Sequence, residues 1–112
     1  MAFSDFVIKE GDQLPAIEAT LTDGDGQPVN LAGAAVTFSM RMVDADVHKI
    51  SAAAAPDADQ NANPGLVRYV WQAGDTDTPG VYRAEWVATF TGKPESFPNS
   101  TYQVVKITAK LA

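Results

Sequence analysis

"DTDTPGVYRAEW", residues 75–86, sets a turn-rich acidic run directly against a tyrosine and the start of a strict apolar–polar alternation. Beyond Gly80, Tyr82, Ala84, Trp86, Ala88 and Phe90 share one face, while Arg83, Glu85, Val87 and Thr89 share the other. Period two over this length predicts an extended strand with one face in a core. Asp75 to Gly80 predicts a turn across the end of that core, with Pro79 and Gly80 fixing its backbone. Tyr82 therefore enters the strand with its ring buried. Its hydroxyl then needs a partner, and the upstream turn backbone is the nearest.

That arrangement is the tyrosine corner of immunoglobulin-like sandwiches, and the spacing Asp77-x-x-Gly80-x-Tyr82-x-Ala84 matches it. Ala84 stands where antibody-type domains carry their second cysteine, so close packing of a small residue replaces the disulfide. The chain has no cysteine at all, which excludes disulfides and cysteine-ligated metals and suits folding in a reducing cytoplasm.

The rest of the chain repeats the β pattern, with short alternating runs between Gly/Pro/Asp/Asn clusters. "FVIKEGD" starts as a strand and stops at Gly11. "AIEATLTD" places Ile17, Ala19 and Leu21 on one face, and "DGDG" at 23–26 supplies a tight turn. "QPVNLAGA" reads as a short edge segment followed by a turn at Gly33. In "AVTFSMRMV", Val36, Phe38, Met40 and Met42 oppose Thr37, Ser39 and Arg41. "LVRYVWQ" aligns Val67, Tyr69 and Trp71, and "YQVVKITAKLA" is the last strand. Residues 44–65 are ambiguous: Val43, Val47, Ile50 and Ala54 have helical spacing, yet Pro56 ends any helix. The reading adopted is a short strand around 47–52 and then a loop to Gly65. "TGKPESFPNST" reads as a turn-rich connection. The expected fold is all-β: one immunoglobulin-like antiparallel β-sandwich of about seven strands over residues 1–112, with no disulfide.

A chain of 112 residues buries roughly 65% of its unfolded surface, enough for a hydrophobic core. The net charge is −6, and the eight basic residues are scattered singly, so nucleic acid and anionic membrane surfaces are poor partners. No run approaches the ~18 apolar residues of a membrane span, and the start "MAFSDFVIKEGD" lacks a signal-peptide core. Synthesis in the cytoplasm without a signal peptide is expected.

No residue is assigned a catalytic, cofactor-binding or metal-ligating role, and no cofactor is expected. "DADQNAN" (Asp57, Asp59, Asn61) imitates half a calcium loop, but Ala62 replaces the bend glycine and Arg68 the bidentate glutamate. "DGDG" is explained by turn chemistry. His48 is the lone histidine, and no nucleophile-elbow pattern surrounds Ser4, Ser39, Ser51, Ser96 or Ser100. Glu18 and Glu85 lie on polar strand faces, where ion pairing with neighbours such as Arg83 is the ordinary role. Trp71, Trp86 and Tyr69 are the candidate stacking platform for a glycan, but they share a face with core residues and read as core. Phe97, in "ESFPN", is freer to be exposed and to anchor a partner protein. "PVNL" and the strand near 47–52 are candidate sheet edges. Alanine-rich 52–55 is either a close-packing surface or a permissive loop.

Across most of residues 6–108, the order of segments resembles the N-terminal immunoglobulin-like domain of bacteriophage baseplate upper proteins and related small virion proteins. "KEGDQLPAIEATLTDGDGQPVNL" and "AGDTDTPGVYRAEW" carry most of the likeness. The resemblance implies a non-enzymatic structural protein of a tailed-phage virion that attaches to tail, tail tip or baseplate through other virion proteins. It brings no catalytic residues. In baseplate proteins the domain leads into a stalk and further domains, whereas this sequence stops where the sandwich stops. That departure puts a role depending on a receptor-binding or trimerising C-terminal part in doubt and leaves open a free-standing module attached to a tail tube, tail tip or capsid shell. A trimeric or hexameric homo-oligomer fits tail attachment. Capsid-surface decoration and a carbohydrate-binding module for host adsorption are the alternatives.

Overall fold

The alternating segment after Gly80 is the longest strand of the molecule, and the others are built around it. The computed structural model describes residues 5–45, 47–97 and 102–111. Among these the elements are β1 (Phe6–Lys9), β2 (Ile17–Thr20), β3 (Ala35–Met42), β4 (Ile50–Pro56), β5 (Leu66–Tyr69), β6 (Gly80–Phe90), β7 (Lys93–Phe97) and β8 (Gln103–Thr108), with no helix.

Hydrogen-bonded neighbours follow the order β1-β8-β6-β3-β4-β5-β2, with β7 also beside β6. One layer holds β1, β8, β7, β6, β3 and β4; the other holds β2 and β5. β4 joins them, because Ile50 to Ala54 pair with β3 while Ala55 and Pro56 pair with β5. The result is an all-β, mixed sheet folded into a barrel-like sandwich that is nearly closed. Two features depart from the expected seven antiparallel strands. There are eight strands, and β1 runs parallel to β8, with Phe6 opposite Val105 and Ile8 opposite Ile107.

β6 is long enough to serve three partners. On one side Tyr82–Thr89 pair with β3. On the other, Gly80–Ala84 pair with β8 and Trp86–Phe90 with β7, so β7 and β8 lie end to end. β7 corrects the reading of residues 93–97 as a connection. "PVNL" forms no strand; only a bridge between Thr22 and Pro28 appears there. In the ambiguous stretch, the strand covers Ile50–Pro56, beginning later than the expected 47–52 and running on through Ala53, Ala54 and Ala55, which the sequence reads as loop.

Register places matching apolar residues in line: Val36 opposite Ala88, Phe38 opposite Trp86, and Met40 opposite Ala84. Phe38 is the hub of an aromatic cluster joining the two layers. Its ring centroid lies 4.7 Å from Trp86, 5.0 Å from Tyr69 and 5.9 Å from Trp71. The buried polar ends are satisfied: Trp71 Nε1 donates to Pro15 O at 3.1 Å and Trp86 Nε1 to Gln103 Oε1 at 3.0 Å. Each aromatic buries a large area at little rotamer cost, so this cluster dominates the core.

The tyrosine corner is present. Tyr82 is 1% exposed, and its Oη donates to Thr78 O at 2.6 Å. Lys49 Nζ donates to Asp77 Oδ1 at 2.5 Å, tying the start of β4 to the same turn. That hydrogen bond is the main reason the Asp77 carboxyl lies below its ordinary value. Burial holds the Tyr82 phenol above the ordinary 10.0. Tyr69 is raised as well, first by burial and then by its 2.6 Å hydrogen bond to Asp75 Oδ2. A raised phenol stabilises the fold fully below the unfolded pKa, and that contribution is lost as pH rises through the folded pKa. Tyr82→Phe is expected to lose about 1 kcal/mol at neutral pH. Above pH 10.0 its stability should fall less steeply than that of the wild type, since one raised phenol has gone. Urea denaturation at both pH values measures this; an unchanged midpoint and slope would show the hydroxyl to be idle.

Candidate functional site

The outward face of the larger layer is written by the polar positions of β3 and β6. Alternation that buries Met40 and Ala84 turns Ser39, Arg41, Arg83 and Glu85 to the outside. Register then sets Arg41 directly opposite Arg83 and Ser39 opposite Glu85. Directly opposed Cβ atoms are about 4.5–5.5 Å apart, close enough for two like charges to repel. Arg83 has its guanidinium carbon 5.4 Å from the centroid of the Tyr102 ring, a cation–π contact that fixes its direction. With His48 at the rim, these residues line a cavity of about 220 Å3.

Four of the six other cations have a carboxylate partner, while Lys9 and Lys93 make no ion pair among the described residues. Arg68 is ion-paired with Glu18, Lys49 with Asp77, Lys106 with Asp5 and Lys110 with Asp12. Among the described residues, neither Arg41 nor Arg83 makes an ion pair. Glu18 thus behaves as expected for a polar strand face, although its partner is Arg68. It belongs to the opposite layer from Glu85, so the two carboxylates are not brought together.

The remaining candidates are built into the fold. Asp57 Oδ2 accepts from Asp59 N and Asn63 Nδ2, both at 3.1 Å, and Asp59 Oδ1 accepts from Ala62 N at 3.0 Å. The Asn63 hydrogen bond is the main cause holding the Asp57 carboxyl below its usual range. In "DGDG", Asp23 Oδ1 accepts from Asp25 N at 2.9 Å and Gln27 N at 3.0 Å. Both sets of carboxylates are occupied in shaping turns. No three of His, Cys, Asp and Glu gather as a ligand set among the described residues. Ser39 lines the arginine cavity, Ser51 and Ser96 are exposed on β4 and β7, and Ser4 and Ser100 lie outside the described residues.

The supposed glycan platform is core: Trp71, Trp86 and Tyr69 are 1%, 0% and 5% exposed. Phe97, expected to be available to a partner, is buried at 2%, because β7 places it opposite Trp86. Two groups escaped the sequence reading. The Arg41–Arg83 pair was visible only as one arginine on each of two polar faces, since nothing in the sequence gives their register. The other is Gln60, a buried clip. Its Oε1 accepts from Leu31 N and Gly65 N, both at 2.9 Å, and its Nε2 donates to Asp57 O at 2.9 Å and Leu66 O at 3.3 Å.

Comparison with known proteins finds no matching family model and no matching curated relative.

Proposed function

We propose that this protein is a non-enzymatic structural component of a tailed-phage virion, docking through protein–protein contacts at the tail, tail tip or baseplate. The resemblance of its sequence motifs motivates the phage setting, and an all-β sandwich is the fold that resemblance implies. The observation that carries the docking role is the free edge of β4. Ile50 to Ala54 pair with β3 alone, and from Ile50 to Pro56 there is no charged side chain. The outer strands β1, β2 and β7 all carry charges: Lys9 on β1, Glu18 on β2, and Lys93 with Glu95 on β7. Sheet edges are ordinarily blunted by charge, and an unblunted edge offers backbone donors and acceptors to another chain. Ser51, Ala53 and Ala55 point outward and have too little bulk to obstruct a close neighbour. Many weak contacts of this kind become firm when repeated around a symmetric particle.

Mass measurement in solution, with binding to purified tails and capsids, tests the reading. A trimer or hexamer, or attachment to tails, supports it, and Ala53→Lys should abolish that association while leaving the fold intact. A monomer that binds only intact capsids would replace tail attachment by capsid decoration. A monomer that binds neither particle overturns the virion role.

A further inference from the structure

We propose that the cavity over Arg41 and Arg83 binds a small hydroxylated monocarboxylate, of which an acidic sugar unit is the type. The inference does not depend on the docking role and uses different residues from the β4 edge.

Two guanidinium cations placed opposite one another repel, which costs a fold stability unless something negative lies between them. Among the described residues Lys49, Arg68, Lys106 and Lys110 have carboxylate partners, and Lys9 and Lys93, which have none, stand opposite Thr108 and Phe90 and not opposite another cation. Here the two arginines face an open cavity of about 220 Å3. Guanidinium forks match oxyanions in a planar, two-bond geometry, so the missing partner is an oxyanion and not a halide or an apolar group. The Tyr102 ring restrains Arg83, which lowers the entropy lost when it engages a ligand.

Charge and chemistry narrow the class. Glu85 lines the same cavity, so two positive charges are set against one negative and the site carries a single net positive charge, His48 aside. One excess positive charge suits a monoanionic carboxylate, whereas a phosphate dianion would be pushed back by Glu85. The Glu85 carboxylate, the Ser39 hydroxyl and the His48 imidazole add hydrogen-bond acceptors around the arginines. Acceptors beside an oxyanion subsite call for a ligand that also donates, and hydroxyls adjoining a carboxylate do so. The concave form favours a small molecule held on several sides over a flat protein surface.

Glucuronate is the probe, titrated while the arginine Nε–H and backbone amide signals of β3 and β6 are followed by NMR. Saturable binding with Kd on the order of 1 mM is expected, with shifts confined to the surroundings of Arg41, Arg83 and Tyr102. Arg41→Gln and Arg83→Gln should each weaken it by about tenfold or more, and Arg83→Lys by less, since charge remains but the fork is lost. Both arginines point outward, so unfolding temperatures near that of the wild type will confirm that the variants are folded. Should either glutamine variant prove unfolded, the lysine variant supplies the comparison. Glucose, lacking the carboxylate, should not bind measurably. Failure of glucuronate to bind, or equal binding by the glutamine variants, overturns the proposal. Tighter binding of inorganic phosphate overturns the carboxylate preference. Tighter binding of a blocked aspartate-containing peptide overturns the small-molecule class and marks the cavity as a protein contact.

Discussion

Trp86→Ala is expected to lower the free energy of unfolding by about 3–5 kcal/mol and the melting temperature by about 15 °C or more. Trp86 is 0% exposed and stands in β6 between Phe38 of β3 and Phe97 of β7, its register partners on either side. Its ring lies 4.7 Å from that of Phe38, which in turn packs on Tyr69 in the other layer. Truncation opens a cavity at the point where the layers meet, and the flanking strands cannot close over it without breaking their ladders. It also removes the indole donor from Gln103. Against the usual 5–15 kcal/mol of a domain, such a loss is a large fraction of the whole. Trp86→Phe keeps most of the aromatic body and should lose markedly less. Urea denaturation gives both values, with Trp71 as the remaining fluorophore. A loss below about 1 kcal/mol would mean that the two layers are not held at this ring.

The strands that could be read in advance were those whose pattern is set by burial on one face. β6, β3 and β5 each alternate, and their apolar positions are the buried ones: Tyr82, Ala84, Trp86 and Ala88; Val36, Phe38 and Met40; Val67 and Tyr69. The tyrosine corner was legible because a buried phenol beside a turn has few places to send its hydrogen. β7 was not. "KPESF" has a single buried residue, Phe97, and its extension comes from pairing with β6. Pro94 is tolerated because β7 pairs on one side only. β4 escaped for another reason: alanines look alike on both faces, so alternation leaves no trace, and pairing with β3 overrides their helical preference. The parallel β1–β8 pair joins residues about a hundred positions apart, and no local signal encodes direction over that span. The arginine cavity failed to appear for the same reason, since it exists only through the β3–β6 register.

Gln60→Leu should cost about 2–5 kcal/mol, although the residue sits in a loop whose composition reads as solvated. Gln60 is 6% exposed, and its side chain is the acceptor for the backbone N–H groups of both Leu31 and Gly65. Leucine has nearly the same size, so packing is roughly kept, but two buried donors lose their acceptor at about 1–3 kcal/mol each. The Asp57 carbonyl loses a donor too, whereas Leu66 O still accepts from Asp57 N. Gly65 has no room to adjust. It sits at φ 81°, and a Cβ there would come within 2.6 Å of the Leu21 carbonyl oxygen. Gln60→Glu separates hydrogen bonding from packing. It retains an oxygen for Leu31 and Gly65 but turns a carboxylate toward the carbonyls of Asp57 and Leu66. That repulsion raises the folded-state pKa of the new carboxyl, so part of the lost stability returns as pH falls and the group protonates. Urea denaturation of both variants, with hydrogen exchange at the Leu31 and Gly65 amides, tests the clip. If Gln60→Leu stays within about 0.5 kcal/mol of the wild type, with both amides still protected, the loop is held by something other than this side chain.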